Sequence, residues 1–169
     1  MELIQSINLA GNGSCAFTTI PSTYKHLYMT VSSRSSGAAD WVYLRINNVS
    51  TSTYNDSYLF MGASEAGANT SGPRTSQSGS LIIPGMRSSS TANAFSGGEI
   101  YIFNYNSASA LKTFAGIGVQ LSNVANSSER KSFWFGQLQG TSSPITRIDL
   151  LSSAGDLATH TTAQLYGLP

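Results

Sequence analysis

Side chains alternate through Tyr24-Lys25-His26-Leu27-Tyr28-Met29-Thr30-Val31 and again through Asp40-Trp41-Val42-Tyr43-Leu44-Arg45-Ile46-Asn47. A period of two belongs to an extended chain, whereas a helix repeats its faces about every 3.6 residues. Leu27, Met29 and Val31 therefore line one side of one strand, and Val42, Leu44 and Ile46 one side of another. Trp41, Tyr43 and Arg45 point the opposite way. Further short runs occupy residues 3–9, 14–20, 57–61, 81–83, 99–104, 111–121, 133–139 and 145–152, and a closing run ends in Leu165-Tyr166-Gly167. β-Branched and aromatic residues dominate them, as strands require. Turn residues punctuate the runs at Gly11-Asn12-Gly13, Pro21-Ser22, Asn106-Ser107, Gly140-Thr141-Ser142-Ser143-Pro144 and Gly155-Asp156. Gly11-Asn12-Gly13 predicts a hairpin between the first two strands. Helical character reaches at most one turn, from Ala108 to Leu111.

About ten strands, no helix and no internal repeat in 169 residues predict a single all-β domain. Two polar excursions, residues 62–80 and 86–98, are longer than the connections of an immunoglobulin-like sandwich. The expected fold is therefore a jelly-roll β-sandwich with long polar loops. Residues 1–20 read as an N-terminal hairpin or arm, and 21–169 as the jelly-roll body of the same domain.

Composition narrows the function. Charged residues make up 10% of the chain, against about a quarter in ordinary domains. The nine Lys and Arg are scattered and the net charge is +1, which offers no basic stripe for nucleic acid. Cys15 is the single cysteine, so no internal disulfide forms and a small buried hydrophobe is its expected role. The first residues lack the basic and apolar regions of a signal peptide, and no apolar run is long enough to cross a membrane. Folding in a cytoplasm is the expectation.

No catalytic signature stands out. The eight acids lie singly, and only Asp40 and Asp149 could be imagined as a convergent glycosidase pair. His26 and His160 are the only histidines, too few for a three-His zinc site, and no Gly-x-Ser-x-Gly elbow occurs. Gly116-x-Gly118 lies in a strand without the helix a dinucleotide fingerprint needs. Glycosylation sequons such as those beginning at Asn48, Asn55, Asn69 and Asn126 are chance matches in a Ser- and Asn-rich chain. No enzyme activity and no cofactor are expected. The aromatics Trp41, Tyr43, Tyr101, Phe103 and Trp134 read as a sugar-binding platform or, more commonly, as core or subunit interface. Contacts with a partner are expected at Trp41, Tyr43, Arg74, Met86, Arg87, Phe95 and Trp134, on the excursions and solvent-side aromatics that a rigid sandwich presents. Aromatic surface left over beside a filled core, with little charge to oppose close approach, predicts a closed homo-oligomer.

Several segments resemble a family of small structural proteins of tailed bacteriophages. The closing stretch 144–169, PITRIDLLSSAGDLATHTTAQLYGLP, carries the late I-x-x-I strand and the terminal LYG of that family. Residues 24–34, from Tyr24 through Leu27 to Arg34, resemble its early strand. Residues 40–47 followed by Tyr54, and residues 98–105, resemble its middle segments. The resemblance implies a non-enzymatic virion protein with a β-sandwich fold, placed on the head as a cement or decoration protein or on the tail as a fibre or tip component. It implies a trimer, with the major capsid protein or another virion protein as partner. A compact domain that uses nearly all the residues leaves little for a fibre shaft, which favours cement.

Overall fold

The computed structural model describes residues 1–38, 41–62, 70–120, 130–140 and 142–169. Twelve strands run in chain order: β1 Glu2–Asn8, β2 Cys15–Thr18, β3 His26–Ser33, β4 Trp41–Ile46, β5 Tyr54–Gly62, β6 Thr70–Gln77, β7 Ser80–Pro84, β8 Ser96–Phe103, β9 Lys112–Gln120, β10 Arg130–Leu138, β11 Arg147–Ser152 and β12 Thr162–Leu168. Among the described residues there is no helix. Asp40, residues 63–69 of the first excursion, the Asn/Ser-rich turn after Leu121, and Thr141 lie outside the described residues.

The strands form two antiparallel sheets packed face to face as a β-sandwich. The large sheet is ordered β1-β12-β3-β8-β9-β10-β5-β6 and the small one β2-β11-β4-β7. The alternation read from the sequence decides which residues face inward. Leu27, Met29 and Val31 from β3 meet Val42, Leu44 and Ile46 from β4, all at most 4% exposed. Phe17, Ile100, Ile102, Ile148, Leu150 and Leu165 complete the same core, and Cys15 is buried within it. Burial pushes the Cys15 thiol up to about 11.

The expected N-terminal hairpin does not form. β1 pairs with β12 and β2 with β11, so Gly11-Asn12-Gly13 carries the chain from one sheet to the other. Gly13 exchanges two backbone hydrogen bonds with Leu157, at 2.9 and 2.8 Å, in that crossing. Ile4 and Ile7 then approach the core from one side while Cys15 and Phe17 enter it from the other. Turn chemistry is local, and burial from both sheets overrode it.

The described parts of the polar excursions, residues 70–80 and 86–98, are also more ordered than their composition predicts. The first contains β6, paired along β5 with Pro73 opposite Ser57. A proline has no N–H for a second neighbour, and β6 is an edge strand that needs none on that side. β5 itself starts at Tyr54, three residues before the predicted strand, because the Ile46 N–H donates to the Tyr54 hydroxyl at 2.8 Å and holds that ring in the core. The second excursion is closed by one side chain. Arg34 Nη1 donates to the carbonyls of Thr91 at 2.8 Å and Ala94 at 2.9 Å, and Nη2 to those of Ser88 and Ser90, both at 2.9 Å.

β7 crosses the large sheet over a seam of glycines. A Cβ on Gly116 would lie 2.4 Å from the Ile82 carbonyl oxygen, one on Gly118 2.4 Å from Pro84 Cδ, and one on Gly98 2.5 Å from Ile83 Cγ2. These glycines serve close approach of two backbones, which is why Gly116-x-Gly118 sits in mid-strand.

Candidate functional site: an aromatic cluster and an apolar sheet face

β7 is the last strand of the small sheet, and the large sheet continues past it to β5 and β6. The inner face of that overhang is aromatic. Trp134 of β10 stands in register with Tyr58 of β5, and Phe60 follows two residues along. Trp41 reaches them from the start of β4, stacked on Phe60 at 4.7 Å and edge-on to Trp134 at 5.4 Å. Tyr58 stacks on Phe60 at 4.5 Å and tilts over Trp134 at 4.9 Å. Trp134 is 1% exposed, whereas Trp41, Tyr58 and Phe60 are half-buried. Trp134 Nε1, Ser132 Oγ and Gln120 Oε1, on the inner faces of β10 and β9, are buried without a hydrogen-bond partner. Exposed flanks of three rings offer flat apolar surface, which suits a sugar face or an apolar protein side chain.

The residues expected to contact a partner do not form one site. Two are corrected by burial: Met86 is 0% and Trp134 1% exposed, so neither can touch a partner. Met86 is drawn inward by its bridge to Arg34, and Trp134 faces inward because the β10 side chains alternate. Trp41 belongs to the aromatic cluster. Tyr43 lies beside Gly79, away from it. Arg74 pairs with Asp56 at 3.2 Å. The Asp56 carboxylate also accepts from Ser80 Oγ at 2.8 Å and from the Leu81 N–H at 3.2 Å. Burial outweighs these partners and raises the Asp56 carboxyl above the usual carboxylate range. Arg87 and Phe95 are half-buried on the loop that Arg34 clasps. Tyr101 packs on Tyr28 at 4.8 Å and Phe103 on His26 at 5.9 Å, both on the outer side of the large sheet.

That outer side holds what the sequence reading missed. In register across the strands, one row runs Ser6, Gln164, Thr30, Glu99, Ile117, Phe133, Leu59. A second runs Thr162, Ser32, Gly97, Val119, Lys131, Met61, and a third Tyr166, Tyr28, Tyr101, Ala115, Phe135, Ser57. Each row is polar or phenolic as far as β8 and turns largely apolar from β9 onward. Leu59 is 40%, Ile117 47%, Val119 37% and Phe135 61% exposed. A groove of about 600 Å³ runs over this region, lined by Met61, Glu99, Ile117, Val119, Lys131 and Phe133 among others. The signal was available: residues 133–135 are apolar at three consecutive positions, and Ile117 and Val119 are out of phase with the buried Phe114, so these strands carry large apolar side chains on both faces.

Among the described residues, no three of His, Cys, Asp and Glu come together as a metal site. No protein-family model and no curated protein sequence matches this chain.

Proposed function

We propose that this chain is a jelly-roll subunit of a bacteriophage particle, bound to the outside of the assembled head as a cement or decoration protein. The strand order carries the proposal. Without β5, β6, β9 and β10 the sheets read β1-β12-β3-β8 and β2-β11-β4-β7, with the chain changing sheet at every connection among these strands except β4 to β7. This interleaving is that of an eight-stranded jelly roll, an architecture found in viral capsid and lectin domains. The remaining four strands widen one sheet and add surface for contact. A subunit that binds only assembled capsomers stabilises the shell by mass action, as any ligand of a native state does. Adding the purified protein to assembled heads that lack it, followed by cryo-electron microscopy, tests this. Regular density on the shell is expected, and density on the tail alone would remove the proposal.

The aromatic cluster supports a second reading, a receptor- or glycan-binding module at a tail or head-fibre tip. In that case Trp41→Ala abolishes binding to host cells or to a glycan array while the urea-unfolding transition stays cooperative. Absence of any binding by the unaltered protein would count against it.

A further inference from the structure

The apolar half of the large sheet's outer face has one charge of each sign set around its β9 residues. Glu99 on β8 stands beside Ile117 in one row, and Lys131 on β10 stands beside Val119 in the next. Between them lie Ile117, Val119 and Phe133. Neither Glu99 nor Lys131 takes part in an ion pair among the described residues. An acid and a base on opposite sides of an apolar middle make a surface that complements its own copy turned over.

We infer that this half-face is covered by a second copy of the chain, packed face to face about a two-fold axis. Strands lie about 4.8 Å apart, and same-face residues about 6.8 Å apart along each strand. On that lattice, an axis lying in the face and crossing it between Ile117 and Val119 exchanges the positions of Glu99 and Lys131. Each carboxylate then meets the partner's ammonium, giving two equivalent ion pairs. The same operation lays Phe133 near Ile117 and Leu59 over Ala115, so apolar side chains meet apolar side chains. A two-fold contact uses one patch twice and closes on itself, whereas a head-to-tail contact on the same patch would need a different complementary surface. A strongly basic or acidic partner finds no matching field here, because the two charges cancel. The inference does not rest on a virion role: a chain that never binds a phage head still pairs with itself.

Sedimentation equilibrium of the whole chain, up to about 100 µM, tests it together with the variants Glu99→Lys, Lys131→Glu and the double reversal. The native chain is expected to form a concentration-dependent dimer. Each single reversal sets like charges against each other at both ends of the contact and weakens the dimer about tenfold or more. The double reversal restores opposite signs and returns the Kd to within about threefold of native. Both positions are exposed, and circular dichroism and urea unfolding of each variant verify that it folds. A monomer throughout the concentration range would overturn the inference. So would a dimer or trimer indifferent to the single reversals, or one that the double reversal fails to restore.

Discussion

The two halves of the large sheet's outer face were built to different rules. On β12, β3 and β8 the face carries Gln164, Thr30, Glu99 and a tyrosine row, in which Tyr28 lies 4.8 Å from Tyr101 and 5.9 Å from Tyr166. Hydroxyls there end the sheet against water. Burial together with the hydrogen bond to Glu99 pushes the Tyr28 phenol up to about 12. On β9, β10 and β5 the same face carries Ile117, Val119, Phe133, Phe135 and Leu59. A strand with one buried face alternates, whereas a strand apolar on both faces is covered twice. The first half belongs to a sheet that is complete in one chain; the second asks for a further layer.

Five substitutions break or sharpen that contrast, and the largest attacks the joint between the halves. Gly116→Ala drives a Cβ to 2.4 Å from the Ile82 carbonyl oxygen, which is backbone and cannot step aside. The expected loss in urea unfolding is about 3 kcal/mol or more. Gly97→Ala, where nothing lies within 4 Å, should stay within about 0.5 kcal/mol and separates crowding from strand propensity.

Next comes Arg74→Ala, which leaves the Asp56 carboxylate buried without its cation and should cost about 2–3 kcal/mol at neutral pH. Because burial raises the Asp56 carboxyl above its unfolded value of 3.8, the unfolded chain gives up this proton first. Asp56 therefore contributes its full stability below pH 3.8, and that contribution is lost as pH rises through the raised value. Removing Arg74 widens the window, so the deficit of the variant should shrink as pH is lowered toward 4. A deficit that stays constant with pH would show that Arg74 acts through packing alone.

Arg34→Ala removes four donated hydrogen bonds at once, with an expected loss of about 2 kcal/mol. Hydrogen exchange should rise in residues 87–95 and remain unchanged in β9 and β10. The smallest effect on stability is expected from Phe135→Ser. The ring is 61% exposed, so the single chain should unfold within about 0.5 kcal/mol of native.

Much of the fold was legible because burial writes itself into alternation. Leu27/Met29/Val31 and Val42/Leu44/Ile46 point inward as the sequence predicts, since one face of each strand meets core and the other does not. Pairing was not legible: β1 finds its partner β12 at the far end of the chain, and no local turn signal reports a contact so distant. β6 was hidden because an edge strand tolerates Pro73 and polar side chains that an inner strand would reject. Met86 looked like a surface anchor within a polar stretch, and only its bridge to Arg34 shows that the loop folds it inward. The aromatic cluster was half visible. Trp41 and Trp134 stood out by type, while their meeting with Tyr58 and Phe60 depends on how far the large sheet extends beyond β7.

The most direct test of the contrast between the two half-faces is hydroxyl-radical footprinting of side chains, compared between dilute and concentrated protein. Reduced oxidation of Met61, Phe133 and Phe135 on concentration, with Tyr166 on β12 unchanged, is the result expected if the apolar half is covered. Equal labelling of both halves at every concentration, or protection confined to the tyrosine half, would contradict it.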